Sequence, residues 1–274
     1  MEHPIFNLEN AAMERWRNGD PLGFVEISDP GICYVDPGRT RPIIGMDDYR
    51  PFMESLAGQI HYQRSEFIDP QLVDCGDATL LTYNYRSSVL AQDGSVKSQT
   101  PWNCTEVYYK SKIIHNHWSF VRHRLPEFLE VPLPLKPGSL RYEGLLGELM
   151  ALEAAAMARW RQGDPWGFIE LSAPSVTYFD AGTPQRINGR EALSAEYKLR
   201  EGKIHYEVMD FIDPWLFACD DLAVLFYRFF STRLHPDGAV ASRLPWNCTE
   251  VFSRLQGSWK IIHTHWSHIR GERY

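Results

Sequence analysis

The stretch Pro101-Trp102-Asn103-Cys104-Thr105-Glu106-Val107, followed by Lys112-Ile113-Ile114-His115-Asn116-His117-Trp118-Ser119, decides how the chain is read, because it occurs twice. Pro245 to Val251 repeats the first part without a change, and Lys260-Ile261-Ile262-His263-Thr264-His265-Trp266-Ser267 repeats the second. Both parts alternate apolar with polar residues and are rich in β-branched and aromatic types, the pattern of half-buried strands. In the second copy they are joined by Leu255-Gln256-Gly257-Ser258, a tight turn with Gly where a positive φ is needed. Pairing Leu255 with Ser258 sets Glu250 opposite His263, Cys248 opposite His265 and Trp246 opposite Ser267. The first copy turns at Lys110-Ser111 and sets Glu106 opposite His115, Cys104 opposite His117 and Trp102 opposite Ser119. Opposed residues share a face, so this register predicts one face bearing Glu, His and His in each copy. It leaves Trp118 and Trp266 on the face away from Trp102 and Trp246.

The repeat extends outward from this stretch over most of the chain. Arg15-Trp16-Arg17 returns as Arg159-Trp160-Arg161, Gly19-Asp20-Pro21 as Gly163-Asp164-Pro165, Ile60-His61-Tyr62 as Ile204-His205-Tyr206, and Phe67-Ile68-Asp69-Pro70 as Phe211-Ile212-Asp213-Pro214. Two units of this length are tandem domains and not a solenoid, which needs shorter and more numerous repeats. The expected division is 1–123, a connector over 124–144 with four prolines, and 145–274. Each copy predicts a first helix (5–18, 145–162) ended by Gly19 or Gly163, and a short second helix capped at Asp20-Pro21 or Asp164-Pro165. A short strand (32–35, 176–179) and a third helix (47–57, 191–200) follow. The first copy closes with four strands, 60–68, 78–90, 98–109 and 112–121, and the second with their equivalents. Helices first and sheet second make an α+β domain.

Composition narrows the function classes. The 274 residues carry a formal net charge of −7, which speaks against general affinity for nucleic acid or anionic membrane. No apolar run is long enough to span a bilayer, and the first residues lack the pattern of a signal peptide. Five cysteines without a CxxC read as reduced thiols of a cytoplasmic protein.

These elements and residues together resemble the nuclear transport factor 2-like superfamily, a cone of three helices and a bent sheet. The SnoaL-like branch and the association domain of calcium/calmodulin-dependent protein kinase II are the most similar in motif. The matching residues are Asn18-Gly19-Asp20, Ser28 to Gly31, the His61 segment ending in Ile68-Asp69-Pro70, Gly76-Asp77, and Thr105-x-Val107 followed by IIHxHxS. The resemblance implies a pocket between helices and sheet, with His61 and His205 at its histidine position and Arg86 at an arginine position. Position 230, the counterpart of Arg86, is Phe. It also implies sheet-to-sheet pairing of the two copies as a pseudo-dimer within one chain, and leaves further self-association open.

Two functional readings follow. In the first, each copy is a small-molecule enzyme of SnoaL-like type, a cofactor-free isomerase, dehydratase or cyclase. Glu106, His115 and His61, and Glu250, His263 and His205, would be the acid–base groups. Tyr34, Trp102, His117 and Arg86, and Tyr178, Trp246 and His265, would line the ligand site. In the second, the same face only binds a ligand or supports assembly. HxH on one strand with a Glu opposite also has the form of a metal site, but the related association domain has similar histidines without being a metalloprotein. No metal and no cofactor are expected.

Overall fold

A computed structural model describes residues 3–121 and 142–269. The chain divides into two compact units, Met1–His123 and Arg124–Tyr274. Apart from residues 142–144, the proline-bearing connector lies outside the described residues, as does the basic run Arg122-His123-Arg124.

The first unit opens with α1 (Pro4–Arg17), whose N-terminus is capped by the His3 ring accepting from the Ile5 N–H, with Pro4 at the first position. Its buried residues Ile5, Glu9, Ala12 and Met13 recur at helical spacing, so a carboxyl sits inside the apolar stripe. Gly19 ends the helix with φ +84°, and a Cβ there would lie 2.8 Å from the His61 ring, so both the conformation and the close approach require glycine. The Asp20 carboxylate then accepts from Leu22 N–H at 3.0 Å and starts α2 (Leu22–Ile27). After β1 (Ser28–Val35) and the two-residue β2 (Ile43–Ile44), α3 spans Met46–Ser55. Four long strands follow: β3 (Arg64–Cys75), β4 (Ala78–Leu90), β5 (Val96–Tyr109) and β6 (Lys112–Phe120).

The second unit repeats the series as α4 (Gly144–Trp160), α5 (Trp166–Leu171), β7 (Ser172–Phe179), β8 (Ile187–Asn188), α6 (Arg190–Lys198), β9 (Val208–Cys219), β10 (Leu222–Leu234), β11 (Val240–Leu255) and β12 (Ser258–His268). The sheet order is β2-β1-β6-β5-β4-β3 in the first unit and β8-β7-β12-β11-β10-β9 in the second. Pairing is antiparallel except for β1 with β6 and β7 with β12, which are parallel, so each sheet is mixed. Each core forms where the helices cover one sheet face; in the first unit it joins Ile5, Met13 and Met53 to Leu81, Tyr83 and Cys104.

Two expectations about strands are corrected. The strand placed at 60–68 begins only at Arg64 and runs on to Cys75. Ile68-Asp69-Pro70 does not end it: Asp69 takes φ +48° and the pairing shifts between Ile68 and Gln71, so the strand bulges there and continues. The second correction concerns register. Tyr109 pairs with Lys112 and Leu255 with Ser258, as the turns predict. One residue is then inserted on the returning strand, Ile114 or Ile262, and beyond it Val107 pairs with His115 and Val251 with His263. An extra residue on one strand inverts the faces of everything beyond it.

Candidate functional site

Beyond the bulge Glu106 pairs with Asn116, Cys104 with Trp118 and Trp102 with Phe120. Glu250 pairs with Thr264 in the same way. His115 and His117, with His263 and His265, therefore lie on the opposite sheet face from the glutamates, and all four are fully buried there. The predicted Glu–His pairs do not form. His263 instead lies 2.7 Å from the Thr177 hydroxyl through Nδ1. Burial pushes the His115 imidazole down to about 3, which keeps it neutral.

What Glu106 meets is a second carboxyl. Glu9, from the apolar stripe of α1, and Glu106 are both fully buried. Tyr83 donates to Glu9 at 2.5 Å, and the Tyr108 hydroxyl lies 2.8 Å from Glu9 Oε2 and 2.9 Å from Glu106 Oε2. Asn116 Nδ2 donates to Glu106 Oε1 at 2.5 Å. Burial, then the neighbouring Glu9, raise the Glu106 carboxyl well above the ordinary range. One hydroxyl proton cannot serve two carboxylates, so the cluster is satisfied when Glu106 keeps its own proton. Two buried carboxyls then hold fewer than two charges, as electrostatics in a low-dielectric site demands.

The second unit has the pair Glu153 and Glu250 but not the bridge, because Phe252 occupies the position of Tyr108. Thr264 donates to Glu250 at 2.6 Å and Tyr227 to Glu153 at 2.7 Å. Glu153 Oε1 is buried with no hydrogen-bond partner among the described residues. Burial raises the Glu153 carboxyl to about 7, with the Tyr227 bond opposing. Burial and the adjacent Glu153 also raise Glu250.

Each unit has a cavity between helices and sheet, of about 190 Å³ in the first and about 310 Å³ in the second. Trp102, Trp118, Tyr34, Tyr62 and Tyr85 contribute aromatic walls to the first, and Asn116 connects its lining to the buried Glu106. The register shift puts both tryptophans on this face, with ring centroids 6.0 Å apart, where the unbulged register separated them. Among the described residues the one carboxyl lining the first cavity is Asp36, which accepts from the Tyr34 hydroxyl at 3.1 Å and from Gly38 N–H at 2.8 Å. Burial raises it above the ordinary aspartate value. In the second cavity Asp180 accepts from Tyr178 at 2.7 Å and from Arg200 at 2.9 Å. Burial pushes Asp180 up, but Arg200 and the hydrogen bonds outweigh it and hold the carboxyl below its ordinary value.

Of the residues predicted from sequence, Tyr34, Trp102, Tyr178, Trp246 and His205 line the cavities. His61 lies before β3, exposed, with Nε2 2.9 Å from the Gly58 carbonyl. Arg86 pairs with Glu66 at 3.1 Å and is not part of the cavity lining. His117 and His265 are on the other sheet face. Glu9 and Glu153 were not among the predicted residues. The signal for Glu9 and Glu153 was a glutamate at the same apolar helical position of both copies. Among the described residues no group of three or more His, Cys, Asp or Glu is placed to hold a metal ion, and all five cysteines are free thiols. No described helix is long and apolar enough to cross a membrane.

No protein-family model and no curated protein matches the chain. Among solved structures, a putative ketosteroid isomerase from Parabacteroides distasonis is similar at 31% identity, covering 94% of that chain and 48% of this one, with a TM-score of 0.41. An NTF2-like protein of Pseudomonas putida is similar at 25% identity, covering 83% of that chain and 44% of this one, with a TM-score of 0.39. The association domain of Caenorhabditis elegans calcium/calmodulin-dependent protein kinase II shows 18% identity over 92% of that chain and 44% of this one, with a TM-score of 0.38. With three helices and a six-stranded mixed sheet in each half, the chain belongs to the nuclear transport factor 2-like superfamily, as two α+β domains in tandem.

Proposed function

We propose that both halves bind small molecules in the cavity between helices and sheet, and that the first performs cofactor-free acid–base chemistry of SnoaL-like type, an isomerisation or dehydration. Asp36 is the proton-transferring group, Tyr34 its hydrogen-bond partner, and Asn116, held by Glu106, the polar contact at the cavity base. The observation that carries this reading is the raised Asp36 carboxyl lining an aromatic cavity. A general acid or base works best with a proton affinity near the operating pH, and burial moves a carboxyl that way. Glu106 supports Asn116 and does not reach the ligand itself, since it is fully buried behind that side chain.

The second half favours recognition without chemistry, because its equivalent carboxyl, Asp180, is tied to Arg200 and held ionised. Incubation in D2O with a panel of hydrophobic ketones, followed by NMR, tests the assignment through loss of the α-proton signal. Wild type should catalyse exchange, Asp36→Asn should lose about 10²-fold or more, and Asp180→Asn should retain the rate. Ketones that raise the melting temperature without any exchange would reduce the first half to a binding module.

A further inference from the structure

The two cavities differ most at the mouth. Arg200, Lys203 and Arg233 line the second. Their counterparts in the first half are Leu56, Gln59 and Val89, none of which lines the first cavity. Arg200 is already engaged, donating to Asp180 at 2.9 Å and to Glu196 at 3.0 Å. The exposed Lys203 and Arg233 side chains have no ion pair or hydrogen bond among the described residues. Two positive charges without a counter-charge thus stand at the rim of a cavity walled by Trp246, Trp266 and Phe229, in a chain of net charge −7.

We propose that the second half binds a small aromatic carboxylate, its ring against Trp246 and Trp266 and its anionic group at Lys203 and Arg233, while the first half takes neutral ligands. The aromatic walls supply apolar contact for the ring. At the rim, each hydrogen bond to the carboxylate is charge-assisted, which a neutral amide of the same shape does not obtain. Asp180 is turned to Arg200, which also holds Glu196, and neither carboxylate contacts Lys203 or Arg233. The inference rests on the cavity being a ligand site and is independent of proton transfer by Asp36.

Isothermal titration calorimetry with indole-3-acetate and indole-3-acetamide on the full chain tests it. Wild type should bind the acetate at one site per chain, about tenfold or more tighter than the amide, with affinity falling as salt rises. Lys203→Gln with Arg233→Val installs the first half's residues and should bring the two affinities within about twofold. Both positions are exposed, so the melting temperature should not move. The reciprocal change, Gln59→Lys with Val89→Arg, should add a second acetate site. Equal wild-type affinities, no acetate binding at millimolar concentration, or a preference that survives the double variant would each overturn the proposal. Failure here leaves the proton-exchange result of Asp36→Asn unaffected, so the two readings fail separately.

Discussion

The two halves place the same residue types on equivalent sheets and then treat their buried carboxyls differently. In the first, Tyr108 reaches both members of the Glu9–Glu106 pair, and Asn116 supplies a third contact. In the second, Phe252 replaces the tyrosine, Thr264 replaces the asparagine, and one oxygen of Glu153 has no partner among the described residues. At the cavity the order of support reverses. Asp180 has Arg200 as a direct donor, whereas Asp36 has Leu56 at the equivalent position, accepts from the neutral Tyr34 and Gly38, and feels the charge of Arg39 only through space. A duplicated fold tolerates these exchanges because each carboxyl can answer a missing partner by keeping its proton, at a cost well below that of an unpaired buried charge.

The largest effect expected on this contrast comes from Arg200→Leu, which gives the second half the first half's residue. It leaves Asp180 largely buried and unpaired, and chemical denaturation at neutral pH should show a loss of roughly 3 kcal/mol. The loss should shrink in acid, where Asp180 protonates. A pH-independent loss would mean that Arg200 acts by packing and not by charge.

Comparable in size is the pH dependence carried by Glu153. Its folded carboxyl titrates at about 7 against an ordinary 4.5. The unfolded state releases this proton first, so the stabilising contribution is complete below about pH 4.5 and is lost as pH rises to about 7. The total is roughly 3 kcal/mol, from 1.36 kcal/mol per pH unit. Unfolding free energies measured across this window should flatten in Glu153→Gln, and an unchanged slope would remove Glu153 as the source.

The smallest effect separates the two pairs directly. Tyr108→Phe makes the first pair resemble the second and should cost about 1–3 kcal/mol, since two buried carboxyls lose a hydroxyl contact. Phe252→Tyr offers the second pair the missing hydroxyl and should stabilise by up to about 1 kcal/mol. If Phe252→Tyr gives no gain, the path of α4 past the sheet, and not the missing hydroxyl, sets the properties of Glu153.

Much of this architecture was legible without coordinates, because it depends on local pattern. The tandem repeat, helices ended by Gly19 and Gly163, β4 at 78–90 and the hairpin pairs Tyr109–Lys112 and Leu255–Ser258 all follow from spacing and turn chemistry. The resemblance carried by the quoted motifs agrees with the fold observed. The site was read incorrectly for a specific reason. Strict alternation from Lys112 onward puts His115 beside Glu106, but Ile113 and Ile114 are consecutive apolar residues, both buried, and the strand absorbs the second as a bulge.

The sequence by itself thus determined the number of domains, their α+β class and the residue types available to each pocket, since periodicity and turn residues act within a few positions of themselves. Tertiary structure alone decided which groups meet. A one-residue bulge turned the histidines away and brought Asn116 and Trp118 to the cavity face. The packing of α1 on the sheet joined Glu9 to a carboxyl 97 positions further along, from residue 9 to residue 106. Such partners are set by the faces of elements distant in sequence, and one inserted residue exchanges those faces without altering the pattern of residue types that produced the strands.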